Sequence, residues 1–290
     1  MSVIGSTLNL GKIGLFLALE TPFRPRWAYY RARAYAYHYL LDRMHQARTH
    51  EYRSRVRPLH EAVAYVTGRS EDDVRAVDDS ELIRSMTVGH GHRAGVENQW
   101  VVSLGDYGAD AKTRTGGPIE IFYGPSPELM RLVNLVCRLV RPEHVIETGV
   151  AKGFTTSSML DALDRNQSGS LQSVELPSLY LGYADQVGEC IPTRLRDRWT
   201  LEFGPSAVVM PKIIKRIGSL DVFVHDSAAN YDNQMTEFRI ALGSMPAGGI
   251  LISDMLNNDA FLETVEATNS RWAVIEQSKA FPVGLMCKLE

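Results

Sequence analysis

HVIETGVAKGFTTSSML, residues 144 to 160, is the stretch on which the reading of this chain turns. Val145 and Ile146 read as the end of a buried strand, and Glu147 closes it. Gly149 and Gly153 make a turn, and Thr155 to Leu160 open a helix. A strand, a glycine turn and a helix N-terminus in that order make a ligand cradle. Glycines let the backbone approach a ligand closely, and the unpaired N–H groups of the helix start attract a carboxylate or phosphate. The spacing is E-x-G-x-x-x-G. A dinucleotide fold asks for G-x-G-x-x-G and a P-loop for G-x-x-x-x-G-K-[ST], so neither is present.

Working downstream, strand and helix patterns alternate. Strands are expected at Leu171–Glu175, Trp199–Phe203, Leu220–His225 and Ile250–Ser253, with Trp272–Glu276 and Val283–Lys288 as two closing strands. Helices are expected between them at Leu179–Cys190, Ala207–Ile217, Tyr231–Ser244 and Ala260–Thr268. This alternation predicts an α/β fold, a Rossmann-like doubly wound parallel sheet covered by helices on both faces, with ligands at the carboxyl ends of the strands. Immediately upstream, Ser126-Pro127-Glu128 carries a capping hydroxyl, a proline at the first helical position and an acid in the first turn. Leu129, Leu132, Val133, Val136, Cys137 and Val140 form the buried stripe of that helix, which Pro142 ends.

Residues 1 to about 120 read as a separate, mostly helical region, leaving 121–290 for the α/β domain. Trp27 to Arg57 is crowded with tyrosine and arginine, and Tyr30, Ala34, Tyr37 and Leu41 fall on one helical face. Such a basic helix is either a solvated arginine face with inward tyrosines or a patch for an anionic substrate, a polyphosphate carrier or an acidic membrane surface. Ser70 followed by Glu71, Asp72 and Asp73 marks a further helix start, and Asp79 or Ser80 begins another that runs through Met86. His90 and His92 flank a glycine in a polar loop; they either line the active site as bases or are ordinary loop histidines. Gly105 to Gly117 reads as a mobile connection, a lid or the domain junction.

The bulk numbers narrow the classes. A chain of 290 residues with 44% hydrophobic and 22% charged residues can bury a full core. A net charge of -3 argues against a general nucleic-acid binder. The three cysteines, Cys137, Cys190 and Cys287, are far apart and show no metal spacing, as expected of reduced thiols in a cytoplasmic protein. No apolar run approaches the length of a membrane span, so membrane contact is not expected.

The cradle resembles motif I of the class I methyltransferases that use S-adenosylmethionine. From Asp221, DVFVHDSAANYDNQMTEF, and from Pro246, PAGGILISDMLNNDAF, the chain is similar to the small O-methyltransferases, including the catechol O-methyltransferase-like enzymes and bacterial families acting on sugars and antibiotics. The resemblance covers roughly residues 120 to 290. It implies S-adenosylmethionine as cofactor, held by Glu147, Gly149, Gly153, Thr155, Glu175, Ser206 and Asp226. Glu175 would accept the ribose hydroxyls, Glu147 would orient the turn or the methionine amino group, Thr155 would meet the methionine carboxylate, and Ser206 would line the adenine or cap a helix. Asp226 and Asp254 would hold a magnesium ion. The residue that usually completes such a site is Met255 here, with Asn257 and Asn258 slightly further on, and HDSAANY replaces an acid and a histidine by Ala228 and Ala229. Asp226 is the first candidate base and His225 the second. Strand alternation points those two side chains to opposite faces, which makes His225 more a satisfied core histidine than a base. His90, His92 and Tyr231 remain as bases from the cap.

The expected activity is methyl transfer to oxygen of a small-molecule or carbohydrate acceptor, with a homo-oligomer as a possible assembly. The alternatives are a cofactor-binding relative without turnover, or methylation of nitrogen or carbon.

Overall fold

The structure, a computed structural model, describes residues 48–87, 126–176, 183–278 and 281–290. His90, His92, the 105–117 connection and most of the Tyr/Arg-rich segment lie outside the described residues.

Four helices occupy the described N-terminal part: α1 (Thr49–Arg53), α2 (Leu59–Thr67), α3 (Glu71–Ala76) and α4 (Glu81–Thr87). Ser70 starts α3 as its composition predicts. Its hydroxyl accepts the Asp73 N–H at 3.1 Å, while the Asp73 carboxylate accepts the Ser70 N–H at 3.1 Å, a reciprocal capping box. Ser126 does the same work for α5 (Pro127–Val140), accepting the Leu129 N–H at 3.2 Å ahead of the proline. Arg141, in the left-handed conformation, closes α5 one residue before Pro142.

The alternating part follows: β1 (His144–Thr148), α6 (Phe154–Asn166), β2 (Ser170–Glu175), α7 (Tyr183–Gln186), β3 (Trp199–Phe203), α8 (Ser206–Ile217), β4 (Val222–His225), α9 (Tyr231–Leu242), β5 (Ile250–Ser253), α10 (Ala260–Glu266), β6 (Ser270–Ile275) and β7 (Val283–Lys288). The sheet order is β3-β2-β1-β4-β5-β7-β6. β1 to β5 are parallel, and β7 slots antiparallel between β5 and β6. The order reverses between β1 and β4, so a crevice opens at the carboxyl ends of those two strands.

Side-chain alternation on the strands builds two cores. Val145, Leu171, Val222, Val224, Ile250 and Ile252 face one way, against α5 and α6. Ile146, Val174, Phe223 and Leu251 face the other, against α8, α9 and α10. Ala62, Val63 and Val66 of α2 and Val74 of α3 enter the first of these cores. The described N-terminal helices are therefore continuous with the sheet's own packing.

The outer edge of the sheet is covered by the chain itself. Val56 bridges Val274 in parallel, the Arg57 N–H donates to the Val274 carbonyl at 2.9 Å, and the Val274 N–H to the Arg55 carbonyl at 3.0 Å. Pairing these groups blunts an edge strand that would otherwise offer open hydrogen-bonding positions.

One expected element differs. Of the helix anticipated over Leu179–Cys190, the described part is helical only at Tyr183–Gln186. The chain then turns through Gly188 (φ +71°), and the Gly188 and Cys190 N–H groups donate to the Ala151 and Lys152 carbonyls at 2.9 Å each. Those carbonyls belong to the glycine turn, and satisfying them takes precedence over another helical turn.

Candidate active site

β1 ends in Glu147 and Thr148, and Gly149 follows directly beside the tip of β4. Gly149 has φ +84°, and a Cβ there would overlap the backbone carbonyl of Asp226. Only glycine permits the two strand tips to approach this closely. At the far end of the turn Gly153 (φ +88°) precedes α6, and a Cβ on it would lie 2.6 Å from Ile191 Cγ1. The E-x-G-x-x-x-G spacing thus places its two glycines where the backbone touches its surroundings at either end of the turn.

Glu175 comes from the tip of β2 and is 6% exposed. Its Oε2 accepts the Val150 N–H at 2.7 Å and the Ala151 N–H at 3.1 Å. The carboxylate therefore grips the turn, a contact that spacing along the chain did not indicate. Glu147 is fully buried. Its carboxyl takes the Thr156 hydroxyl at 2.8 Å and the Ser173 hydroxyl at 2.7 Å, which ties β1 to α6 and β2. Burial pushes its pKa up to about 8, against the pull of those two hydroxyls, and the neighbouring Asp226 and Glu175 charges add to the rise. Its bonds run to hydroxyls beneath the turn. Thr155, at the start of α6, donates to Asp226 Oδ2 at 2.9 Å, joining the first turn of that helix to the tip of β4.

His225 lies on the side of β4 that faces α9. It is fully buried, with Nδ1 2.7 Å from Glu237 Oε2 and its ring edge-on to Phe238. Its Nε2 is buried without a hydrogen-bond partner. Alternation along the strand did separate it from Asp226, whose carboxyl is half-buried and meets Thr155. Nothing local along the chain singles out Glu237. Fully buried, it also accepts from Thr148 Oγ1 at 2.6 Å, Ser227 Oγ at 3.1 Å and Asn233 Nδ2 at 3.0 Å. Burial alone would raise its pKa. The His225 ring beside it, with hydrogen bonds from His225, Ser206 and Thr148, brings it net below the usual carboxylate value. Ser206 is the first residue of α8, with Pro205 as N-cap, and it turns toward Glu237. Tyr231, at the start of α9, donates its hydroxyl to Glu263 at 2.6 Å.

Asp254 stands next to Asp226. His225 and Ser253 are paired in register, and the Asp254 N–H donates to the His225 carbonyl at 2.9 Å. Asp254 is 3% exposed, and its Oδ1 accepts the Gln277 amide at 2.7 Å. A hard dication asks for about six oxygen ligands. Around these strand tips several oxygens accept from protein donors: Asp226 Oδ2 from Thr155, Asp254 Oδ1 from Gln277, Asn258 Oδ1 from the Ala260 N–H at 2.9 Å and Asn257 Oδ1 from Asn258 Nδ2 at 2.8 Å. Among the described residues no group of three His, Cys, Asp or Glu side chains is arranged to hold a metal ion. The described residues at these strand tips do not fit magnesium.

Residues 146–254 match the family model of a methyltransferase domain. Among solved structures, the chain is similar to an O-methyltransferase from Bacillus cereus in complex with SAH, at 18% identity over 63% of this chain and 86% of that one, TM-score 0.48. It is likewise similar to TomG from Streptomyces achromogenes, an O-methyltransferase involved in tomaymycin synthesis, in complex with SAM, at 14% identity over 79% and 99% of the two chains, TM-score 0.49. A third is a putative O-methyltransferase from Klebsiella pneumoniae, at 17% identity over 62% and 94%, TM-score 0.46. No curated protein matches the sequence. Sheet order, glycine turn and matched domain together define the class I methyltransferase fold. Residues 146–254 of the chain are thus similar to a methyltransferase domain. No helix among the described residues is long and apolar enough to cross a membrane.

Proposed function

We propose that the protein transfers the methyl group of S-adenosylmethionine to a hydroxyl oxygen of a small polar acceptor, a carbohydrate or secondary metabolite. The observation that carries this reading is the convergence of Glu175, the Gly149–Gly153 turn and Asp226 at neighbouring strand tips. Glu175 would accept the ribose hydroxyls while its Oε2 keeps the turn in place. Phe203, exposed and paired in register with Glu175, offers an aromatic face to the adenine. The N-terminus of α6, with Thr155, would receive the methionine carboxylate.

When bound, S-adenosylmethionine would supply an electrophilic methyl group on its sulfonium sulfur, which would keep the carbon–sulfur electron pair as the acceptor oxygen took the methyl. Alignment of the two reactants can lower the barrier by about 7–11 kcal/mol. The hydroxyl proton goes to Asp226, which Thr155 orients through a 2.9 Å hydrogen bond. His225 is enclosed between β4 and α9, so it supports the tip of β4 and takes no proton from the acceptor. The N-terminal region, with His90 and His92, would cover the acceptor and select it.

Calorimetric titration with S-adenosylmethionine, followed by transfer of a labelled methyl group to a panel of hydroxylated acceptors, tests the proposal. Stoichiometric cofactor binding with label appearing as a methyl ether supports it. Label on nitrogen or carbon would replace it, and an absence of cofactor binding would end it. Asp226→Asn is expected to reduce turnover far more than cofactor affinity.

A further inference from the structure

We propose that Gln277 occupies the Asp254 oxygen that a divalent cation between the tips of β4 and β5 would need, so that this site activates its acceptor without a metal. The inference rests on the oxygen-methylation reading above and concerns how that same site is balanced.

Gln277 follows β6 closely and reaches back across the sheet. Its Nε2 donates both to Asp254 Oδ1 and to the Phe281 carbonyl, each at 2.7 Å. Its Oε1 accepts the Ser126 hydroxyl, and Ser126 in turn caps α5 by accepting the Leu129 N–H. Reversing the amide would set Oε1 against two acceptors and Nε2 against a hydroxyl already committed, so its orientation is fixed by all three partners. One planar amide therefore bridges the tip of β5, the approach to β7 and the start of α5. It also gives the buried Asp254 carboxyl the donor that burial requires.

The neighbouring positions agree. Met255 has φ +58°, a left-handed conformation that asparagine and aspartate adopt most readily, yet it carries a thioether that a hard cation does not favour. Asn257 turns its Nδ2 to the Ala229 carbonyl at 2.8 Å, bracing the loop after β5 against the loop after β4. Asp226 is oriented by Thr155 from the opposite side. Among the described residues, Asp226 and Asp254 each accept a hydrogen bond from a neutral donor of the chain, Thr155 and Gln277, and proton removal falls to the Asp226 carboxylate.

The test is a Mn2+ titration of the full chain saturated with S-adenosylhomocysteine, followed by electron paramagnetic resonance of the free ion. The wild-type protein is expected to show no saturable site below millimolar Mn2+. Gln277→Glu, which keeps the side-chain shape but replaces the donor by a carboxylate, and Gln277→Ala are each expected to gain at least about ten-fold in Mn2+ affinity, the scale on which partners of metal ligands act. Adding Asp254→Asn should abolish that gain. A stoichiometric Mn2+ site in the wild type that disappears in Asp254→Asn would overturn the proposal, as would Gln277 variants that bind S-adenosylhomocysteine normally and gain nothing. Failure of the cofactor reading shows itself separately, as absent S-adenosylhomocysteine binding in the wild type.

Discussion

Glu175 and Glu147 come from adjacent parallel strands, and their carboxyls are held differently. Glu175 accepts two backbone N–H groups of the turn, and hydrogen bonds to a charged acceptor contribute about 1.5–3 kcal/mol each. Glu175→Ala is therefore expected to weaken S-adenosylmethionine binding by about ten-fold or more, measured by calorimetry, because the turn's anchor and the ribose acceptor of the proposed function would go together. Glu175→Gln should fall between, since an amide oxygen still accepts; equal affinity in all three proteins would refute the assignment. Glu147 is a carboxyl whose pKa burial raises to about 8. An acid with a folded pKa above its unfolded one binds more protons when folded, so unfolding free energy declines as pH rises from about 4.5 toward 8, at up to about 1.4 kcal/mol per unit. Glu147→Gln removes that titration. In urea melts from pH 5 to pH 8 the wild type should lose ground to the variant by a few kcal/mol; parallel pH curves would show that Glu147 ionises freely in the fold.

At the scale of elements, the approach of β1 to β4 depends on two features. One is Gly149, legible in the sequence as a turn glycine, although nothing there revealed that the Asp226 carbonyl is what it makes room for. Gly149→Ala should cost several kcal/mol of stability and lower cofactor affinity together, because it strains a positive φ and forces the two tips apart. The other is Glu237, which gathers Thr148 of β1, His225 of β4, Ser227 of the following loop and Asn233 of α9. Removing one partner of a buried pair costs about 3–5 kcal/mol, so Glu237→Ala is expected to destabilise by that much in denaturant melts. The joint replacement of His225 and Glu237 by leucine should cost less than Glu237→Ala. If the double variant is the weaker of the two, the pair is not a coupled charge unit. Helix starts were the most readable elements, since a capping serine with an acid in the first turn is a local signal, borne out at Ser70 and Ser126. The Leu179–Cys190 helix was misread because its apolar pattern says nothing of carbonyls at Ala151 and Lys152 that need donors.

Over the whole molecule, the N-terminal segment acts as a strap. Val56 adds to the edge of the sheet at Val274, Tyr52 donates its hydroxyl to the Asn258 carbonyl at 2.9 Å, and Arg48 pairs with Glu266 and Asp259. The strap thereby reaches the loop that follows β5. Tyr52→Phe deletes one buried hydrogen bond and leaves a carbonyl unpaired, for an expected loss of about 1–3 kcal/mol with the fold retained. Circular dichroism melts check this, and a variant as stable as the wild type would mean the strap is not tied through Tyr52.

The sequence by itself determined the alternation of strands and helices, the glycine spacing that excludes a dinucleotide turn, and the acids that end β2, β4 and β5. Each of these is periodic or local, written within a few residues of where it acts. Only the tertiary structure decided what those acids touch. Glu175 holds the turn 24 and 25 residues away, Glu237 reaches Thr148 across 89, and Gln277 meets Ser126 across 151. A side chain's partner at such separations depends on strand order and register, which bring distant residues together and leave no periodic trace along the chain.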